Sequence, residues 1–520
     1  MALSFTQLPL DETYGETMTP VIINWTPAIG YMLEQDSSIA AFYYYRLVLE
    51  IREDDASGTV LGIIKQRRNG LASDVTSNLA RAFFDLKDIV KSQLVPTVYD
   101  QNQTSPPFVT IHKLGFNGDQ KSFSLSGDAL KGKGQLLKVY VKGYQNYSTA
   151  ANTSPADVTT GSVNSTLWYL YASLPLATER EAVSGADPQF IQGDAFSKYR
   201  ASFYNNYFLS DVIEAKMNNY RGVNINTSSS VLVNYVQWDA TTSTGDWHTV
   251  AFLNNKGRFY SNVLHIEVVY FDASHSATNV VYFDNETSKG GFVPSGTSTK
   301  YNSLIYFGCG TANLENQGFS NNAKPSHANN TNWTYYTIRG TSGDDDSANA
   351  DGSTGYPLDQ SYHQTQKYYF IRDPKGSCKS FKIRRLAWAN NKGGYDYYNF
   401  KMKSTQTLEV KRDNYQTILG NYGQEYYSYN DTGRGKTTRK VTAILKETLQ
   451  TDFITESEAQ LLESLITSNR VDIVANADTT YTESVMVTDT SFIKKTTAND
   501  GIRIQYTINI EYANPRNTNT

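Results

Sequence analysis

Cysteine is nearly missing from this chain: Cys309 and Cys378 are the only two in 520 residues. So few thiols make no disulfide framework, and both are expected to stay unpaired. Proline is sparse at 14. Long apolar runs are missing as well, none approaching the ~18 residues that a membrane-spanning helix requires, so no membrane insertion is expected. The opening MALSFTQLPLDETYGE has no basic segment followed by an apolar one and does not read as a signal peptide. Positive charge is not in excess either, with 47 Lys and Arg against 51 Asp and Glu and a net charge of −4. A phosphate-binding surface needs concentrated cations, so nucleic acid is not expected as the main partner. The short basic runs Lys65–Arg68 and Lys382–Arg385 read as solvated strand faces or edge-protecting cations.

Signatures of catalysis are lacking too. There is no phosphate-cradling GxxxxGK[ST], no GxSxG, no HExxH and no CxxC. Any two of the 51 acids could meet across a cleft as a glycosidase pair, but no run of short β-helix coils frames such a site. The chain is therefore expected not to be an enzyme and to carry no cofactor. His meets carboxylate closely only at Asp246-Trp247-His248 and at His265 and Glu267. Both places read as strands, and on a strand His265 and Glu267 share a face. Neither has the third group that a metal or catalytic site needs, so neither is read as a site.

What is present is aromatic and polar. Tyr reaches 38, only 39% of residues are hydrophobic, and Asn, Ser, Thr and Gly fill the long connections. That mix favours strands joined by long polar loops. The length exceeds one ordinary domain. The expected fold is mainly β: a multidomain β-sandwich protein with a few short helices and a C-terminal β-rich domain carrying one capped helix. Its expected parts are an N-terminal β-sandwich with an inserted helix (1–176), a connector (177–221), a central β-sandwich with long loops (222–366) and the C-terminal domain (367–520).

The stretch Cys378–Phe400 reads as a hairpin of half-buried strands. Apolar and cationic residues alternate up to Trp388, Gly393 and Gly394 supply a tight turn, and Tyr395 and Tyr397 restart an aromatic strand. In the first part, strands are expected at Val21–Trp25, Phe42–Ile51, Thr59–Gln66, Phe108–Phe116, Gly134–Gln145 and Thr166–Leu176. Between them Asp74 is placed to cap a helix over 74–91 with Val75, Leu79, Phe83, Leu86 and Val90 on one face. That stripe fits packing on its own sandwich, and in a ring assembly it also fits a neighbouring subunit, which makes Val75, Leu79 and Phe83 interface candidates. The connector holds Tyr204 and Tyr207, candidates for a subunit-contact arm, and its best helical piece runs from Asp211 to Met217. Asp344, Asp346 and Asp351 sit in the most acidic, Gly-rich loop; a solvated loop is the first reading and a Ca²⁺-pinned loop the second, since the EF-hand spacing is missing. In the C-terminal domain strands are expected at Thr405–Arg412 and Thr437–Thr451, and Thr455 and Glu458 have capping-box spacing, which places a helix over 456–466 with Leu461, Leu462, Leu465 and Ile466 inward.

Several stretches carry a family likeness: LAWANNKGGYDYYNF at 386–400, FITESEAQLLESLITSNRVDIV at 453–474, IRIQYTINIEYA at 502–513 and the opening AAFYYYRLVLEI at 40–51. They resemble virion structural proteins of tailed bacteriophages, in particular uncharacterised tail, neck or baseplate proteins of Bacteroidota phages. The resemblance implies a subunit made in a host cytoplasm and carried in the virion. Its expected partners are itself, as a homo-oligomeric ring, and other virion proteins. The alternative it leaves open is a host-adsorption or fibre protein whose exposed aromatics stack on surface glycans. No catalytic residue comes with it.

Overall fold

In the computed structural model of the chain the described residues are 3–8, 21–22, 30–35, 42–67, 80–94, 110–113, 136–171, 208–212, 215–216, 230–254, 265–284, 303–316, 321–330, 332–341, 367–373, 381–417, 425, 428, 435–454, 456–476, 481–493 and 504–514. They are mainly strand and fall into two compact units. One is Met1–Asp373 with Ala389–Asp396; the other is Pro374–Trp388 with Tyr397–Thr520. The first unit thus holds the residues of both expected sandwiches. Most of the expected connector lies outside the described residues.

The first unit opens with β1 (Leu3–Gln7), β2 (Val21–Ile22), β3 (Gly30–Gln35) and β4 (Tyr43–Glu53), followed by β5 (Val60–Arg67), β6 (Ala80–Asp85), β7 (Leu136–Ser148) and β8 (Ala156–Leu170). They form a three-stranded sheet, β1-β3-β6, and a five-stranded sheet, β2-β8-β7-β4-β5. Alternation makes one side of each strand apolar. Ala80, Ala82 and Phe84 of β6 join Leu47, Leu49 and Ile51 of β4 and Val139 and Val141 of β7 in one buried cluster, so the two sheets make a sandwich. Tyr31 and Tyr169 share a buried hydroxyl–hydroxyl hydrogen bond of 3.2 Å, and Gln145 Nε2 donates to Gln35 Oε1 at 3.0 Å.

Two expectations fail in this part. Where it is described, from residue 80 on, the helix expected over 74–91 is instead β6 followed by a short helix α1 (Lys87–Lys91). Phe83, Leu86 and Val90 fit a helical stripe, but Ala80–Asp85 alternates buried and exposed and pairs in register with Gln35–Gly30. Six residues that satisfy both periods go to the partner strand, because tertiary pairing overrides weak helix propensity. Phe83 is consequently the outward residue, 39% exposed, while Phe84 is buried. The strand expected at Phe108–Phe116 is, where described, a single 3₁₀ turn at Ile111–Lys113.

The rest of this unit contains β9 (Ala215–Lys216), β10 (Ser230–Val236), β11 (Trp238–Asp239), β12 (Thr244–Gly245), β13 (Thr249–Asn254), β14 (His265–Phe271), β15 (Ala277–Asp284) and β16 (Ser303–Gly308). A short helix α2 (Thr311–Asn316), β17 (Tyr335–Thr341) and β18 (Tyr368–Arg372) follow. The main sheet has the order β15-β14-β17-β18-β10-β9, in which β10 and β18 run parallel and the other pairs antiparallel. Its aromatic residues pack on one another: the rings of Tyr336 and Phe370 stack at 5.0 Å, and Tyr368 and Phe370 at 4.6 Å. The helix expected at 211–217 is not formed in the described residues, where Ala215–Lys216 pairs with β10 as a strand.

The second unit includes most of β19 (Arg384–Ala389) and β20 (Tyr395–Phe400), whose connecting turn belongs to the first unit. It continues with β21 (Thr405–Gln416), β22 (Lys436–Gln450), the helix α3 (Glu456–Thr467), β23 (Val471–Val474), β24 (Glu483–Val487) and β25 (Thr507–Tyr512). The sheet order is β20-β19-β23-β24-β25-β22-β21. Helix α3 forms where the spacing places it: Leu461, Leu462 and Leu465 are buried, and Ser464 Oγ accepts a 2.8 Å hydrogen bond from Trp388 Nε1. β19 and β20 are buried on both faces rather than half-buried, apart from Tyr398. The alternation of charge misled here because Arg384 and Arg385 are both satisfied inside: Arg384 by Glu447, Arg385 by Asn399 at 2.9 Å and by the face of Tyr397.

Candidate functional site

Among the described acids of the first unit, Asp396 is the most perturbed. It is fully buried; Ser210 Oγ donates to its Oδ1 at 2.5 Å and the Asp211 amide to its Oδ2 at 2.8 Å. Burial first, and the neighbouring Asp211 charge second, push its carboxyl up to about 7. The turn beside it is built by Asn390, whose Oδ1 accepts from the amides of Lys392 and Gly394 and whose Nδ2 donates to the Leu209 carbonyl at 2.9 Å. Gly393 supplies the positive φ of 90° that the turn needs, and a Cβ at Gly394 would lie 2.1 Å from the Leu209 oxygen. A serine nucleophile needs a base at its hydroxyl and an approach for substrate. Ser210 instead engages a buried carboxylate and also accepts the Val212 amide at 3.2 Å, so the cluster holds the 208–212 segment to the turn.

The Asp246–His248 segment is also structural. It lies between β12 and β13, not on a strand as expected. Asp246 Oδ2 accepts the Gln237 amide, the Asp246 amide donates to Thr311 Oγ1, and the His248 amide donates to Asn313 Oδ1 at 2.8 Å. The His248 ring meets the edges of Tyr368 and Phe370. His265 and Glu267 do sit on one strand, and Glu267 accepts from the Tyr282 hydroxyl at 3.3 Å. Among the described residues no group of three or more His, Cys, Asp or Glu is placed to hold a metal ion.

The second unit carries an exposed feature of a different kind. β25 pairs with β22 only over Lys446–Gln450, whereas β21 pairs with β22 along its whole length, from Thr405 opposite Thr448 to Gln416 opposite Lys436. Beyond Leu445, therefore, the described residues of β21 and β22 form a ribbon of two strands. Nine residues of β21, Leu408–Gln416, at ~3.3 Å each give it a reach of about 30 Å. All of them but Glu409 and Val410 are exposed.

One face of this ribbon is apolar. Register puts Leu408 opposite Leu445, Val410 opposite Ala443 and Arg412 opposite Val441 on the same face. That face continues inward as Glu447 and Leu449 of β22 with Ile508 and Ile510 of β25, all buried. The inner face of the sheet thus runs out along the ribbon, where Leu408 is 43% exposed. At the root, Glu447 accepts from Arg384 Nε at 2.9 Å, Tyr512 OH at 2.7 Å and Gln406 Nε2 at 3.1 Å. Burial alone would raise its carboxyl, but hydrogen bonds from Gln406 and Tyr512 and the Arg384 charge hold it below the usual range. The opposite face is polar, with Lys446 Nζ bridging Glu409 at 2.6 Å.

Of the residues singled out in the sequence, Trp388, Gly393, Gly394, Tyr395 and Tyr397 come together in the β19–β20 hairpin and its turn, with Trp388, Tyr395 and Tyr397 buried. Phe83 is on β6. Val75, Leu79, Tyr204, Tyr207, Asp344, Asp346, Asp351 and Cys378 lie outside the described residues; Cys309 is a buried thiol. Missed were Asp396, hidden as one acid among many, and the full length of the ribbon, whose strands were expected to end near Arg412 and begin near Thr437 but pair out to Gln416 and Lys436. The alternation in TQTLEVKRDNYQ was the available signal for the longer strand.

No protein-family model matches the chain, and no curated protein sequence matches it. No helix among the described residues is long and apolar enough to cross a membrane.

Proposed function

We propose that the protein is a structural subunit of a tailed-phage virion, in the tail, neck or baseplate, and that it works by oligomeric assembly. The observation that carries the assembly part is the two-stranded ribbon with a half-exposed apolar face. An isolated two-stranded hairpin is marginal in water, and an apolar stripe gains stability only when covered. The virion setting is supported by the sequence resemblance at 40–51, 386–400, 453–474 and 502–513. In this reading the subunit is made in the host cytoplasm, meets copies of itself and other virion proteins, and performs no reaction.

A second reading, host adsorption through surface glycans, has one observation in its favour. Tyr43 and Tyr44 are 48% and 59% exposed at a bulge in β4, and Tyr44 has a φ of 57°, a backbone state that bulky residues rarely adopt. Exposed aromatic rings are suited to stacking on sugars. The two readings separate when the purified protein is weighed by light scattering and the same peak is imaged by negative stain. Rings of six or twelve subunits support the tail, neck or baseplate reading; a compact trimer that binds host glycans replaces it with adsorption.

A further inference from the structure

We infer that the ribbon of β21 and β22 docks on the body of a second copy of this chain, in a head-to-tail contact that repeats around a ring. The inference rests on the assembly reading and adds the partner and the mode. Three observations carry it. First, Leu408, Val410, Ala443 and Leu445 extend the inner face of the sheet past the last strand that pairs with β22 on that side among the described residues; Ala443 is still buried, Val410 and Leu445 are half-buried and Leu408 is 43% exposed, so the stripe is written as core and emerges at the surface at Leu408. A protein surface with apolar side chains of its own fits such a stripe better than a polyanion or a sugar.

Second, β21 is the last strand in its sheet, so its outer backbone edge is available for pairing among the described residues. Lys411, Arg412 and Asp413 on that strand are exposed. Charges on an edge strand discourage indiscriminate pairing, which leaves an acidic partner favoured.

Third, the charges are complementary between the ribbon and the remainder of the chain. Over the sequence 408–445 the cations are Lys411, Arg412, Arg434, Lys436, Arg439 and Lys440 and the acids Glu409, Asp413, Glu425 and Asp431, a net charge of +2. With −4 on the whole chain, the rest carries −6. Two ribbons repel each other, so a two-fold ribbon-to-ribbon pairing is disfavoured. A ribbon on the next copy's body is attracted, and such a heterologous contact closes as a ring or continues as a filament.

The test compares the full chain with Leu408→Glu/Val410→Glu, and with Thr407→Glu on the polar face, by light scattering across a concentration series, with circular dichroism to establish that each is folded. Expected are an oligomer for the parent and for Thr407→Glu, a monomer for the double variant, and at least a tenfold weaker association of the parent in 1 M than in 0.1 M salt. An oligomer that survives in the folded double variant overturns the ribbon as the contact and leaves assembly by another surface standing. A parent that stays monomeric at 100 µM overturns the second copy as partner, and in that case binding of a labelled DNA duplex would assign the cations to nucleic acid. If the double variant does not fold, Lys411→Glu/Lys440→Glu on the ribbon's polar side replaces it: weakened association is expected, and unchanged association overturns the inference.

Discussion

Arg384 Nε lies 2.9 Å from Glu447 Oε1, and the two residues sit on β19 and β22, which are separated in the sheet by β23, β24 and β25. Such a bond requires the sheet of the second unit to curl, bringing its inner face together at the place where the ribbon leaves. Both side chains are nearly inaccessible, at 10% and 0%. Removing one partner of a buried ion pair leaves a desolvated charge and costs about 3–5 kcal/mol.

Arg384→Met is therefore expected to destabilise the protein by about that amount near neutral pH, read from urea unfolding. Glu447 is held below its ordinary value of 4.5, so the stability it contributes is present above that pH and is lost as the pH falls through its folded value. The deficit of Arg384→Met should thus be largest near pH 7 and shrink in acid. A deficit independent of pH would sink the argument.

Asp396 predicts the opposite slope. Its carboxyl is raised from 3.8 to about 7, so the stability associated with its protonated form is complete below 3.8 and declines as the pH rises toward 7. Melting temperatures between pH 5 and pH 8 should fall in the parent. In Asp396→Asn, which keeps a neutral side chain beside Ser210 and the Asp211 amide, that fall should be smaller. Equal slopes in the two proteins would remove Asp396 as the source.

Gly394→Ala places a methyl group 2.1 Å from the Leu209 oxygen, a backbone atom that cannot move without disturbing the hydrogen bond from Asn390. The expected loss is about 1–3 kcal/mol, of the order found for overpacked sites. A melting temperature equal to the parent's would mean that the 208–212 segment is not held against the 390–394 turn.

How far the sequence was legible follows from the kind of signal each element has. Helix α3 could be placed within a residue because its apolar spacing and flanking polar residues agree. Ala80–Asp85 was misread, since a six-residue window with Phe83, Phe84 and Leu86 nearby satisfies two periods and only the presence of β3 decides between them. The Asp396 cluster was illegible for another reason: its partners Ser210 and Asp211 are far from it along the chain, and nothing in Gly-Tyr-Asp-Tyr marks the acid as buried. The ribbon was half visible. Its strands were found, but their length depends on a register that pairs Gln416 with Lys436, and polar residues at the tip looked like loop.

Hydrogen–deuterium exchange of the full chain at two concentrations, one below and one above its association midpoint, tests assembly through the ribbon most directly. Amides of Leu408–Gln416 and of the facing 436–445 should exchange at least tenfold more slowly in the concentrated sample, while those of the buried β19 stay protected in both. Ribbon amides that exchange at one rate in both samples, as mass and imaging report an oligomer forming, would contradict the account.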